Sequence, residues 1–163
     1  MGMNYRASAD LTCTLASLAS SAGLTVGRCS AAYSNATNKD DSLGFSGLVT
    51  TGSSTLVAGA IEVWAFAQRK DSTWPEIFTS AYAGSDGGFT VKSRDVLQAS
   101  AYLVGQAITD TTARGYALRL VDLVQFFGFS PQQVALFVTQ SSGQALDATA
   151  GNHVLTLNPA YWA

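Results

Sequence analysis

A chain of 163 residues with a net charge of -2 is long enough to bury one core and awkward for two domains. Charged residues make up 12%, about half the usual share, and Ser, Thr, Ala and Gly take their place, a composition that suits strands and turns better than exposed helices. The few Lys and Arg are scattered, which argues against nucleic acid as a partner, and no apolar run reaches the roughly 18 residues of a membrane span.

Residues 1–8 read as a flexible N-terminal arm. With one Arg and no continuous apolar stretch, the first twenty residues make a poor signal peptide. Residues 9–16 alternate, with Leu11, Cys13 and Leu15 opposite Thr12 and Thr14, so a strand is expected. A second strand is read over 24–34, ending at the polar run NATNKDD, and a third over 43–51. The clearest strand is AIEVWAFAQ (60–68). Ile61, Val63 and Ala65 lie on one face and Glu62, Trp64 and Phe66 on the other, so a central strand with its Glu62 face partly covered is expected.

Brief extended pieces follow at 77–83 and 88–92, around the turn GSDGG. Residues 95–108 fit two patterns. Ser93 is placed to cap a helix, while Leu97, Ala99, Ala101 and Leu103 alternate as in a strand; the β context favours the strand. Alternation returns at 115–126, and 133–140 with 153–161 read as a hairpin across SSGQALDATAGN. Pro159 suits a strand end or an edge. About eight strands with turn-rich connections predict one all-β domain over 1–163. Its expected form is a two-sheet antiparallel sandwich of jelly-roll type with at most one or two short helical turns.

Side chains that carry chemistry are sparse. The single histidine, His153, would need an orienting carboxylate and a nucleophile beside it to act as a base. GFSG (44–47) falls short of the G-x-S-x-G elbow and lacks its strand-to-helix setting. Asp40, Asp41, Asp71 and Asp86 sit in loops without the spacing of a calcium loop, and nothing selects Glu62 and Asp122 as a glycosidase pair. Cys13 and Cys29 are too few for a four-ligand metal site. They either pair across adjacent strands or serve as two small buried hydrophobes in a reduced compartment. The reading is a non-enzyme with no catalytic, cofactor or metal site.

The aromatics carry more weight. Trp74 stands beside Pro75 in a charged loop, near Asp71; Phe126, Phe127 and Phe129 crowd one turn; Trp162 is penultimate. Exposed aromatics on a low-charge surface mark interfaces, and Trp74, Phe127 and Trp162 are the candidate anchors. The competing reading for Phe126 and Phe129 is that they close the bottom of the core.

The series IEVWAF (61–66), ALFVTQSSGQAL (135–146) and AGNHVL (150–155), with SLASSAGLTVGRCSAAYSN before it, resembles small structural proteins of tailed bacteriophages similar to capsid cement (decoration) proteins. The likeness covers residues 11–161. It implies a jelly-roll sandwich bound to the outside of the capsid shell, with the major capsid protein as partner and a trimer as the homo-oligomer. It also implies a place on the virion surface after folding in the host cytoplasm. A receptor- or glycan-binding module of a head or tail fibre, using Trp74 beside Asp71, is the alternative. A hydrolase has the least support.

Overall fold

A computed structural model describes residues 2–69 and 72–163. In chain order the strands are β1 (Met3–Tyr5), β2 (Ala9–Asp10), β3 (Val26–Cys29), β4 (Tyr33–Ser34), β5 (Ser42–Thr50), β6 (Gly59–Ala67) and β7 (Gly87–Thr90). Helix α1 (Arg94–Ser100) follows, then β8 (Tyr102–Thr109), β9 (Gly115–Asp122), helix α2 (Leu123–Phe127), β10 (Gln133–Gln140) and β11 (Val154–Trp162). Among the described residues, eight of the eleven strands have four residues or more.

All strand pairs are antiparallel. One sheet runs β1-β11-β5-β9, with β2 also on β11; the other runs β7-β3-β10-β6-β8, with β4 also on β10. The chain therefore pairs from its ends inward: β1 and β2 with β11, β3 with β10, β5 with β9, β6 with β8. Rolling up such a ribbon and joining β11 to β5 and β10 to β6 gives the two facing sheets of a jelly roll. The expected sandwich is the observed one.

Between the sheets lies the main core, built on Leu43, Phe45 and Val49 of β5, Ile61, Val63 and Ala65 of β6, Val134, Leu136 and Val138 of β10, and Leu155 and Leu157 of β11. A second core covers the outer face of the six-stranded sheet. There Trp64, Phe66, Phe137 and Cys29 meet Ile77, Phe78, Tyr82, Val91 and Leu97 from the long excursion between β6 and β8. This is the covered Glu62 face expected of a central strand. Glu62 itself is buried, accepting hydrogen bonds from Trp64 Nε1 (2.9 Å) and from Arg94 Nη1 (2.7 Å) and Nη2 (3.2 Å). Arg94 opens α1, so the ion pair pins the excursion to the sheet. On β3, Gly27 permits a backbone approach no side chain could share: a Cβ there would lie 2.1 Å from the Val138 carbonyl oxygen.

Several expectations are corrected. The stretch 95–108 is a helix and then a strand. Ser93 does cap it, its Oγ accepting from Val96 N–H, and the chain turns extended at Ala101, where β8 joins β6. Residues 9–16 form a strand only at Ala9–Asp10. Beyond it Leu11, Cys13 and Leu15 still face the main core, so the alternation marks burial without ladder pairing. The second strand is broken between β3 and β4, where Ser30 spends its N–H and Oγ on Leu136 of β10. β9 stops at Asp122, whose carboxylate caps α2 by accepting from Val124 N–H. β10 and β11 are not a hairpin. β10 is flanked by β3 and β6, and the chain crosses to the other sheet before β11 begins. Pro159 lies inside that sheet: its carbonyl accepts from Arg6 N–H where the chain passes from β1 to β2, and its missing N–H faces the same gap. Residues 3–5 of the N-terminal stretch lie along β11 as an edge strand.

Candidate functional site

The three candidate anchors lie in two separate places. Trp74 is half-buried on the second core, edge-on to Phe66 (5.5 Å between ring centroids) and Tyr82 (4.8 Å). Its loop walls a groove of about 470 Å³, with Phe78 and Tyr82 at its base and the Glu76–Lys92 ion pair (2.9 Å) and the Thr79 and Ser80 hydroxyls at its rim. Asp71, the proposed companion of Trp74, lies outside the described residues.

Phe127 belongs to the neighbouring end of the sandwich. It packs against the main core and meets Tyr102 of β8 in a T-shaped contact at 5.3 Å. Phe126, on the open side of α2, and Phe129 both turn outward; Phe129 reaches 58% exposure because α2 ends in a left-handed Gly128 (φ 72°) that swings the next residue clear of the core. So Phe127 closes the core end, and its two neighbours form the exposed aromatic surface. Pro75 lines both the Trp74 groove and a smaller one of about 240 Å³ walled by Tyr102, Phe127 and Phe129, which makes the two adjoin.

Trp162 ends β11 on the outer face of the other sheet. Its backbone is fixed by pairing with Met3 and by donating to Asp41 Oδ2 (3.0 Å), while 57% of the residue is exposed. Cross-strand register puts Met3, Tyr5, Ser42, Gly44, Asn158 and Ala160 on that same face. Leu120 of β9 lies over Gly44 and is 68% exposed. The result is a shallow trough of small side chains rimmed by Met3 and Tyr5 on one side and Leu120 on the other. Sequence reasoning missed Met3 and Tyr5 because residues 1–8 read as a flexible arm, and Leu120 because an apolar residue in an alternating strand reads as core until the register says which face is open.

Groups considered for chemistry are engaged elsewhere. His153 Nδ1 accepts from Thr50 N–H (3.3 Å), and Nε2, 2.9 Å from the Asp147 carbonyl oxygen, must carry the proton and donate. Both ring nitrogens thus hold backbone together. Asp40 is buried against Arg6, with Tyr33 donating to its second oxygen. Burial pushes the Asp86 carboxyl up, but the Arg28 guanidinium and the hydrogen bonds from Thr14 outweigh it and hold the group below the usual carboxylate range. Glu62 and Asp122 sit on different sheets, one in an ion pair under α1 and the other capping α2. Among the described residues no three His, Cys, Asp or Glu side chains are gathered as metal ligands.

Both cysteines are free. Cys13, outside any strand, packs against the main core, and Cys29 of β3 lies in the second. Burial pushes the Cys13 thiol up to about 12 and raises Cys29 as well, which keeps both in the unreactive thiol form.

Compared with protein-family models, curated proteins and solved structures, the chain matches none.

Proposed function

We propose that this chain is a non-enzymatic structural protein of a bacteriophage virion, a capsid cement protein that binds the outer shell and stabilises it. The observation that carries the reading is the open outer face of the five-stranded sheet, where Met3, Tyr5, Leu120 and Trp162 stand exposed around a trough of small side chains whose nearby charges are the carboxylates Asp10, Asp41 and Asp122. Aromatic and apolar side chains of this kind anchor protein interfaces, in which a few residues supply most of the affinity. The aromatic end at Tyr102, Phe126 and Phe129 offers a second contact, as a protein touching several shell subunits requires. The resemblance of IEVWAF, ALFVTQSSGQAL and AGNHVL to phage cement proteins supplies the identity of the partner, the major capsid protein, and the trimeric state.

Adding the purified chain to shells that lack it should give bound protein and a higher disruption temperature, with Trp162→Ala weakening binding at least about tenfold. No binding, or binding without a gain in heat resistance, overturns the proposal.

The groove at Trp74 favours a second reading, a glycan-binding module. An aromatic wall beside hydroxyls and an ion pair suits a sugar ring, whose apolar face stacks while its hydroxyls hydrogen-bond. A glycan array probed with the wild type and Trp74→Ala separates the two, because only this reading expects sugar binding that the substitution removes.

A further inference from the structure

The two sides of the sandwich end differently. On one side the outermost strands are β1 and β7, three and four residues long. On the other they are β8 and β9, eight residues each, and among the described residues neither has a partner beyond it. Long open edges present a row of unpaired N–H and C=O groups, which proteins usually blunt with Lys, Pro or short strands. β8 (YLVGQAIT) has no charged residue and no Pro. Past an irregularity opposite Val63 and Trp64 it runs regularly from Gly105 to Thr109, and Ile108 is 66% exposed.

Between the two edges opens a cleft of about 350 Å³, lined by Leu103, Val104, Gly105 and Gln106 of β8 and by Arg119 and Val121 of β9. Arg119 is its one charge. Arg6, Arg28, Arg94 and Arg114 each hold a carboxylate, whereas Arg119 has no ion pair or hydrogen bond among the described residues.

The geometry points to strand addition: an extended segment of a partner polypeptide lies along β8, with apolar residues at alternate positions and a carboxylate that meets Arg119. Backbone groups of β8 give the affinity and the guanidinium selects the sequence. A second copy of this chain is the poorer occupant, because a β8 strand brings no carboxylate to Arg119. The inference stands independently of the cement reading, since an edge of this kind would serve any partner.

The test is selection of yeast-displayed random peptides on the intact chain. Selected peptides should carry Asp or Glu between alternating apolar residues and should slow hydrogen exchange at Gly105–Thr109 in the wild type. They should bind Arg119→Glu and Ile108→Lys at least about tenfold more weakly. Both substitutions are at exposed side chains, and the exchange measurement needs neither. Failure to select any peptide, peptides that leave those amides unprotected, or equal binding to both variants overturns the inference. A wild-type dimer made monomeric by Ile108→Lys also overturns it, by naming a second copy as the occupant.

Discussion

Trp64, Phe66 and Phe137 lie on the outer face of the six-stranded sheet beneath the chain's own excursion, while Met3, Tyr5, Leu120 and Trp162 lie on the outer face of the five-stranded sheet with no such layer of described residues over them. The difference begins in side-chain size. The first face carries large rings whose exposure to water costs free energy, so it requires an apolar cover, and because that cover buries the Glu62 carboxylate it must also bring Arg94 to pair with it. The second is mostly Ser42, Gly44, Thr156, Asn158 and Ala160, with apolar groups only around its rim. Such a face stays soluble when open and still offers anchors to a partner. A jelly roll has two outer faces, and this one closes one in cis and leaves the other free.

The covered face should be the one that fails when its packing is broken. Phe66 is fully buried, with Trp74, Phe78 and Tyr82 around its ring at 5.1 to 5.5 Å. Phe66→Ala removes the common contact of all three and should cost about 4 kcal/mol in urea unfolding. Amides of α1 and β7 should exchange faster than those of β10. A loss under about 1 kcal/mol would mean that the excursion contributes little to the fold, and the contrast between the faces would collapse.

Much of this arrangement was legible in the residues. The alternation Ile61/Val63/Ala65 against Glu62/Trp64/Phe66 announced a strand covered on both sides, and 43–51, 133–140 and 153–161 fall within a residue or so of β5, β10 and β11. What failed was pairing and breaks. Alternation at 9–16 arises equally from a loop with one buried side, and a residue such as Leu120 is core or surface according to a register set by strands far away in the chain. The helix α1 was visible in Ser93 and lost to the weight of its β surroundings. Of the candidate anchors, Trp162 proved exposed, whereas Trp74 and Phe127 are half-spent on the cores; size and loop position alone do not separate those cases.

How the covered side is fastened can be tested by pH. Asp86 precedes β7 and accepts from Arg28 Nε (2.7 Å) and Nη2 (2.9 Å) and from Thr14 Oγ1 (2.6 Å), tying the N-terminal segment to the β3–β7 edge. Its carboxyl titrates lower in the folded state than in the unfolded chain, where about 3.9 is usual. The ion pair therefore stabilises fully above that unfolded value, and its contribution fades as pH falls through the lower folded one. Asp86→Asn should cost about 2 kcal/mol at neutral pH and flatten the acid limb of the stability profile. Parallel profiles for the two proteins would show that the tie holds no stability.

The smallest effect is expected where the face is open. Leu120→Lys places a charge at a position 68% exposed, above Gly44 and beside small polar residues, so nothing buried is lost and no polar group is stranded. Unfolding in urea should stay within about 0.5 kcal/mol of the wild type. Any weakening of shell binding by the same substitution would then belong to the interface and not to the fold. A cost above about 1 kcal/mol would show instead that Leu120 is covered in solution, by another copy or by the chain itself. The five-stranded face would then count as a second closed one.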